Sequence, residues 1–139
     1  MVEKTFHVFL DRYLDIWRNC SLAEMKRVIA RDYQAREVTD GLVSDFGYEE
    51  SITGWEKGFE FIKENEAQWG VSKVSVLQIR EGEMLAILSA TIIINGISLD
   101  TANLFFQTFK EDTLGEWKLA RSYIEAGIPS ENIKSLALK

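Results

Sequence analysis

Apolar residues recur every three or four positions in the first segment of the chain. The apolar positions are Phe6, Phe9, Leu10, Tyr13, Leu14 and Trp17. The polar positions between them are His7, Asp11, Asp15 and Arg18. This is the spacing of a helix with one buried face, so the pattern predicts an amphipathic helix of about four turns.

Two further helices are predicted from Ser/Thr-x-x-Glu sequences, in which both side chains bond backbone N–H groups at a helix start. Ser21–Glu24 would begin the second helix, whose inward positions continue to Asp32. Thr53–Glu56 would begin the third, which runs to about Glu66. The intervening segment, 33–48, is predicted to be irregular, with short extended pieces and turns.

The second half of the chain is rich in β-branched and aromatic residues, which are separated by turn sequences such as Asn95-Gly96. This pattern predicts four antiparallel strands, at 71–80, 84–94, 98–110 and 116–125. Helices that precede such a sheet cover one of its faces, and long strands curl around them. The predicted fold class is α+β, with three N-terminal helices packed into a strongly curved antiparallel sheet.

Composition and charge restrict the function. A chain of 139 residues with 46% hydrophobic residues forms one core, so we predict a single domain, 1–139, with 128–139 as a tail. The net charge is −6 and basic residues are scattered along the sequence, which argues against nucleic-acid binding. Cys20 is the single cysteine and His7 the single histidine, so we predict no metal site, no cofactor and a cytoplasmic location. The longest apolar run is too short for a membrane-spanning helix.

Two stretches carry a resemblance to a known family. They are the Thr-Gly-x-Glu sequence at Thr53–Glu56 and the aromatic hairpin 105–119, which ends in Gly-Glu-Trp-Lys-Leu. In this order they resemble the nuclear-transport-factor-like superfamily, which includes SnoaL-like polyketide cyclases and ketosteroid isomerase. The resemblance implies a cystatin-like cone around a small cavity, and a homodimer. Relatives often end the last strand with His-x-Ser, but Tyr123 and Glu125 stand there in this chain, so a histidine role does not carry over.

The segment 11–32 is also similar to the helical pair of ketosteroid isomerase. On that register, Tyr13 takes the place of the oxyanion-hole tyrosine and Glu37 that of the general-base carboxylate. The second oxyanion donor, a protonated aspartic acid, falls at or beside Phe105, which cannot donate a hydrogen bond. The resemblance therefore implies an isomerase apparatus that is absent or rebuilt.

The catalytic candidates are Tyr13, Glu37 and Asp32. Enolisation needs a base near the carbon acid and a donor where negative charge develops on oxygen, and Glu37 and Tyr13 could fill these roles. Asp32 would be a second candidate base if the apolar stripe of its helix carried it into a dry cavity. In the alternative, Tyr13 belongs to the core, Glu37 is a solvated rim residue and Asp32 turns to water.

Aromatic residues supply the first group of ligand-binding candidates. Trp55, Phe59 and Phe105, with Asn103 close to Phe105 in the sequence, would line a pocket for a flat apolar or aromatic molecule. The alternative is that the aromatic residues are simply part of the core.

The last predicted strand supplies the second group. Strict alternation puts Arg121, Tyr123 and Glu125 on one face together with Trp117 and Leu119. The three polar residues would then either line the pocket or form an interface network, and we take the pocket as the working prediction.

The preferred prediction is a homodimeric, SnoaL-like domain that binds a small apolar or aromatic molecule. Strand 84–94 is apolar on both faces and so needs two coverings, one of which would be a second copy of the chain. One alternative is an isomerase or cyclase with a carboxylate base and a tyrosine donor. Another is a regulatory or protein-interaction module that also uses the tail. Whether the chain is an enzyme stays open.

Overall fold

The computed structural model describes residues 2–137, which form a curved sheet with helices packed on it. The helices are α1 (Val2–Arg18), α2 (Leu22–Val28), α3 (Tyr48–Glu64) and α4 (Ser130–Ala137). The strands are β1 (Ile29–Thr39), β2 (Leu42–Gly47), β3 (Gln68–Arg80), β4 (Glu83–Ile94), β5 (Ile97–Ser98), β6 (Thr101–Glu111) and β7 (Trp117–Pro129). The α+β prediction is confirmed, with one helix more than expected. None of these helices is long and apolar enough to cross a membrane.

The sheet contains three strands that the sequence did not predict, β1, β2 and the two-residue β5. Its order is β2-β1-β7-β6-β4-β3, with the short β5 beside β4. The segment 33–48, expected to be irregular, supplies most of β1 and all of β2, joined at Asp40-Gly41. Both of these residues have positive φ, +52° and +79°, as a two-residue hairpin turn requires. β1 pairs with β7 in parallel, so the sheet is not purely antiparallel.

The second helix is shorter than predicted. It ends at Val28, because Ile29 is extended, with φ −97° and ψ 127°. β-branched side chains favour this change from helix to strand. Asp32 consequently lies on β1 and not on a helix. Ser21 makes no side-chain cap hydrogen bond, so its predicted capping box is wrong.

The third helix begins five residues before the predicted start, at Tyr48. Gly47 precedes it, and the Gly47 N–H donates to Glu50 Oε1 at 3.1 Å. Thr53 is inside the helix, where its hydroxyl donates to the Glu49 carbonyl at 3.2 Å. The capping box predicted at Thr53 is therefore wrong, and the glycine that follows it is a helix-interior residue.

The predicted tail is regular structure as far as residue 137, the last that the structure describes. β7 continues past residue 125, and Ile128 pairs with Ala102 on β6. α4 follows directly and buries Ile133, which is 8% exposed. The last two residues of the predicted tail, Leu138 and Lys139, lie outside the described residues.

The core lies between α1 and the concave face of the sheet. The apolar face of α1 is fully buried at Phe6, Leu10 and Tyr13, as the helical spacing predicted. Near the start of α1, Phe6 packs against Phe109 and Trp117, with ring centroids 5.4 and 5.1 Å apart. The helix thus carries aromatic side chains along the whole length of the sheet.

Candidate functional site

A cavity of about 540 Å³ opens between the concave face of the sheet and α3. Its mouth lies between the β1–β2 hairpin and the start of α3, where Ser44, Asp45 and Glu50 are exposed. The residues that line it are Trp17, Tyr33, Glu37, Ser44, Asp45, Phe46, Glu50, Ser51, Gly54, Trp55, Gly58, Trp69, Ala90, Asn103, Phe105, Gln107 and Ile124.

Two helical glycines help to make the space. Gly54 and Gly58 lie one turn apart on α3 and both line the cavity. A Cβ atom at Gly54 would meet nothing within 4 Å, and one at Gly58 would lie 3.5 Å from Cζ2 of Trp69. Glycine in a helix interior costs about 1 kcal/mol relative to alanine. α3 is therefore less stable than an alanine-containing helix at the positions that border the cavity.

Aromatic rings form much of the wall. Trp17 contacts Trp55, Trp69 and Phe105 edge to face, with centroid distances of 4.8, 6.0 and 5.0 Å. The Trp17 Nε1–H group is buried and has no hydrogen-bond partner. This polar edge of Trp17 is thus turned away from the open space, and the cavity meets ring carbon.

A chain of hydrogen bonds lies behind the aromatic wall. The Tyr13 hydroxyl donates to Gln107 Oε1 at 2.8 Å, and Gln107 Nε2 donates to Ser122 Oγ at 3.2 Å. The Tyr33 hydroxyl donates to the same serine oxygen at 2.8 Å. Burial raises the pKa of Tyr13, and it raises the pKa of Tyr33 to about 12. Both phenols are therefore neutral near pH 7 and are held by internal partners.

A β-bulge decides which residues of β7 face this network. Thr108 of β6 pairs with Arg121, whereas the next residue, Phe109, pairs with Leu119, so Ala120 has no partner on β6. An extra residue reverses the alternation of faces beyond it. Ser122 is consequently buried on the concave side.

The same bulge turns three predicted ligand-binding residues away from the cavity. The prediction that they share a face with Trp117 and Leu119 is wrong, because the two groups stand on opposite sides of the bulge. Arg121 lies on the convex face and donates to Glu83 Oε1 at 2.9 Å. Tyr123, which is 40% exposed, donates to Glu125 Oε2 at 2.6 Å. This polar group lies on the outside of the sheet.

The catalytic candidates are not brought together. Glu37 lines the cavity near its mouth. Tyr13 is completely buried behind Gln107. Asp32 is exposed and borders a separate depression on the convex face, beside Arg121. The structure thus leaves one of the three candidate groups, Glu37, at the cavity.

The aromatic candidates fit the cavity better. Trp55, Asn103 and Phe105 line it. Phe59 lies behind Trp55, at a centroid distance of 5.6 Å, and is 3% exposed. The Asn103 Oδ1 atom accepts a hydrogen bond from the Gly127 N–H at 3.0 Å, which fixes the orientation of its amide.

Several residues of the cavity lining, and of the hydrogen-bond network behind it, were missed by the sequence analysis. Gln107 gave a signal that could have been used, because it interrupts the apolar run from Leu104 to Phe109. Tyr33 was missed because its segment was taken as irregular and not as a strand. Ser122 had no usable signal, since its inward direction depends on the bulge.

Comparisons with known proteins define the fold. Nothing matches the chain among family models or curated proteins. A domain of unknown function with a cystatin-like fold from Nostoc punctiforme has a TM-score of 0.68 at 13% identity, covering 96% of this chain and 82% of that one. An NTF2-like protein of unknown function from Pseudomonas putida has a TM-score of 0.69 at 13% identity, covering 94% and 89%. An NTF2-like protein from Novosphingobium aromaticivorans has a TM-score of 0.68 at 11% identity, covering 96% and 87%.

The chain therefore has the cystatin-like fold of NTF2-like proteins, and the predicted resemblance is confirmed at the level of the fold. At such identities the likeness says nothing about ligand or reaction. Function must be argued from the cavity itself.

Proposed function

We propose that this chain is a small-molecule-binding domain whose ligand occupies the cavity beneath α3. The observation that carries the proposal is the space itself, about 540 Å³, within the size range of ligand pockets. It is kept open by Gly54 and Gly58 at a cost to helix stability. Residues that lower stability beside an open space are expected where function requires the space.

Binding is favoured over the isomerase or cyclase alternative by the state of the tyrosines. A catalytic donor must be free to approach the substrate oxygen. The hydroxyls of Tyr13 and Tyr33 donate to Gln107 and Ser122 instead. A regulatory or protein-interaction module has no need of an empty cavity, so the open space disfavours that alternative.

Filling the cavity tests the proposal. We expect some neutral aromatic alcohols, from a panel that includes tryptophol, naphthol and biphenylmethanol, to raise the melting temperature of the wild-type protein. Binding at a hundredfold excess over Kd stabilises a protein by about 2.7 kcal/mol. Gly54→Phe should abolish these shifts, because its side chain occupies the cavity, and Gly58→Leu serves as a second cavity-filling variant.

The matched control is Gly54→Ala, which should stabilise the protein by about 1 kcal/mol through helix propensity and still bind. If the wild type binds neither the panel compounds nor charged analogues that carry the same aromatic groups, or if both filled variants bind as well as the wild type does, the proposal fails.

We also propose that the convex face of the sheet joins two copies of the chain. Across neighbouring strands this face carries a row formed by Ile87, Phe106 and Tyr123, beside Leu77, which is 59% exposed. Light scattering should give a mass of twice 15.9 kDa for the wild type. Phe106→Glu should give the single-chain mass, because it would place a charge in the interface.

The control for this test is Val8→Glu on α1, where Val8 is already 68% exposed. A wild-type mass of one chain at micromolar concentration would contradict the dimer.

A further inference from the structure

The charges at the mouth of the cavity are all of one sign. Glu37, Asp45 and Glu50 line it, and no Lys, Arg or His is among its described lining residues. Asp45 is neutralised by Arg36, with hydrogen bonds of 2.7 and 2.8 Å. Glu37 and Glu50 accept hydrogen bonds from neutral groups only, at 3.0 and 3.1 Å. Two carboxylates at the mouth therefore lack a cationic partner among the described residues.

This lack of basic residues is not a result of composition. The chain has 16 Lys and Arg residues. A groove on the outside, between α1, α2 and the start of β7, collects five of them: Arg12, Lys26, Arg27, Arg31 and Lys118. Basic side chains thus gather elsewhere on the fold. Glu37 and Glu50 therefore give the described lining a net negative charge, and low-dielectric walls focus the field of such charges.

The aromatic walls of the cavity also favour a positively charged ligand. The faces of aromatic rings are negative and attract cations, most strongly at tryptophan. Trp17, Trp55 and Trp69 line the cavity. The buried Trp17 N–H group, which would suit an anion, does not reach the open space. An anionic ligand would find no ion partner in this cavity, whereas a cation would be stabilised by the walls and by the carboxylates at the mouth.

We infer that the ligand of the cavity is an organic cation, an amine or quaternary ammonium group on an apolar or aromatic body. Its charge lies near Glu37 and Glu50, and its body lies against the tryptophans. The inference rests on the proposed function above, to which it adds the chemical class of the ligand.

The test compares three molecules that share an indole ring and differ in charge. Tryptamine is a cation, tryptophol is neutral and indolepropionate is an anion. By calorimetry or ligand-observed NMR, we expect tryptamine to bind about tenfold tighter than tryptophol, and indolepropionate to bind most weakly. Added salt should reduce the preference for tryptamine, since it screens the carboxylates.

Matched variants locate the effect. Glu37→Gln keeps the size and polarity of the side chain and removes its charge, so it should remove most of the about tenfold preference for tryptamine over tryptophol. Glu60→Gln removes a carboxylate from the exposed side of α3 and should change neither affinity.

The failures are distinguishable. If tryptophol or indolepropionate binds as tightly as tryptamine, or if Glu37→Gln keeps the full preference, the inference is overturned and the binding function stands. If tryptamine does not bind while neutral panel compounds do, the inference is overturned as well. If neither tryptamine nor any panel compound binds, the proposed function itself fails.

Discussion

The two ends of the concave surface use the same kind of side chain in opposite ways. At the closed end, Phe6, Tyr13, Phe109 and Trp117 pack together and are each at most 5% exposed. At the open end, the tryptophans pack edge to face around empty space. The difference lies in what opposes the rings. At the closed end, side chains of α1 fill the space above the sheet. At the open end, the helix that faces the sheet is α3, and its glycines leave the space empty.

The comparison shows that aromatic content alone does not distinguish a core from a binding site. Trp17 belongs both to the core and to the cavity wall. Its ring centroid lies 6.1 Å from that of Tyr13 on one side, and it borders the cavity on the other. Small residues decide the outcome. Ala90 on the sheet and Gly54 and Gly58 on the helix leave a volume that larger side chains would fill.

The largest difference between the two ends should be seen when one phenylalanine is removed from each. Phe109→Ala should lower the free energy of unfolding by about 3–5 kcal/mol, because Phe109 is completely enclosed. Phe105→Ala should lower the free energy of unfolding by about 1–2 kcal/mol less than Phe109→Ala does. Phe105 already borders empty space, so fewer contacts are lost when its ring is removed. Urea denaturation measures both. Phe61→Ala, at a 43% exposed position, is the control and should change stability little.

Equal losses for the two variants would contradict the comparison. That result would mean that the open end is packed as tightly in solution as the closed end.

A smaller effect is expected at alkaline pH. Burial raises the pKa of Tyr33 to about 12, above the ordinary value of 10.0. The folded protein therefore holds this proton more tightly than the unfolded chain does, so the stability contributed by Tyr33 is complete below pH 10.0 and is lost as pH rises towards 12. We expect a loss of about 1 kcal/mol by about pH 11.

Tyr33→Phe should be less stable at neutral pH, because Ser122 loses a donor, and should show a shallower decline above pH 10.0. Urea unfolding at several pH values, together with tyrosinate absorbance, measures this. A decline as steep as that of the wild type would show that Tyr33 is not responsible.

Periodicity predicted the parts of the fold that are locally determined. The apolar stripe of α1 could be read from its helical spacing, and the long strands β3, β4, β6 and β7 could be read from their β-branched and aromatic residues between turn sequences. β1 could not, because Arg31, Asp32 and Arg36 are exposed polar residues that leave only short apolar pieces along it. Its parallel pairing with β7 joins distant parts of the sequence, and such pairings leave no local signal.

The candidate site was predictable only in part, for a related reason. Four predicted residues lie at the cavity: Glu37, Trp55, Asn103 and Phe105. Glu37 was named because of the resemblance to ketosteroid isomerase. Arg121 and Tyr123 were assigned to the same place because strict alternation was assumed along β7. A bulge is a property of two paired strands, so a single strand sequence does not reveal it.

The unpaired residue on β7 also bears on how this fold can change. With the same residues and no bulge, strict alternation from Leu119 onwards would turn Arg121 and Tyr123 into the cavity and Ser122 out of it, and every later residue of the strand would move by one place against β6. Deleting Ala120 would instead remove the bulge and leave each of these side chains on its present face, because Arg121 would then follow Leu119 directly. One unpaired residue thus separates two possible linings of the same cone, and the gain or loss of a bulge along this strand is a short route by which chains of this shape diverge in what they bind.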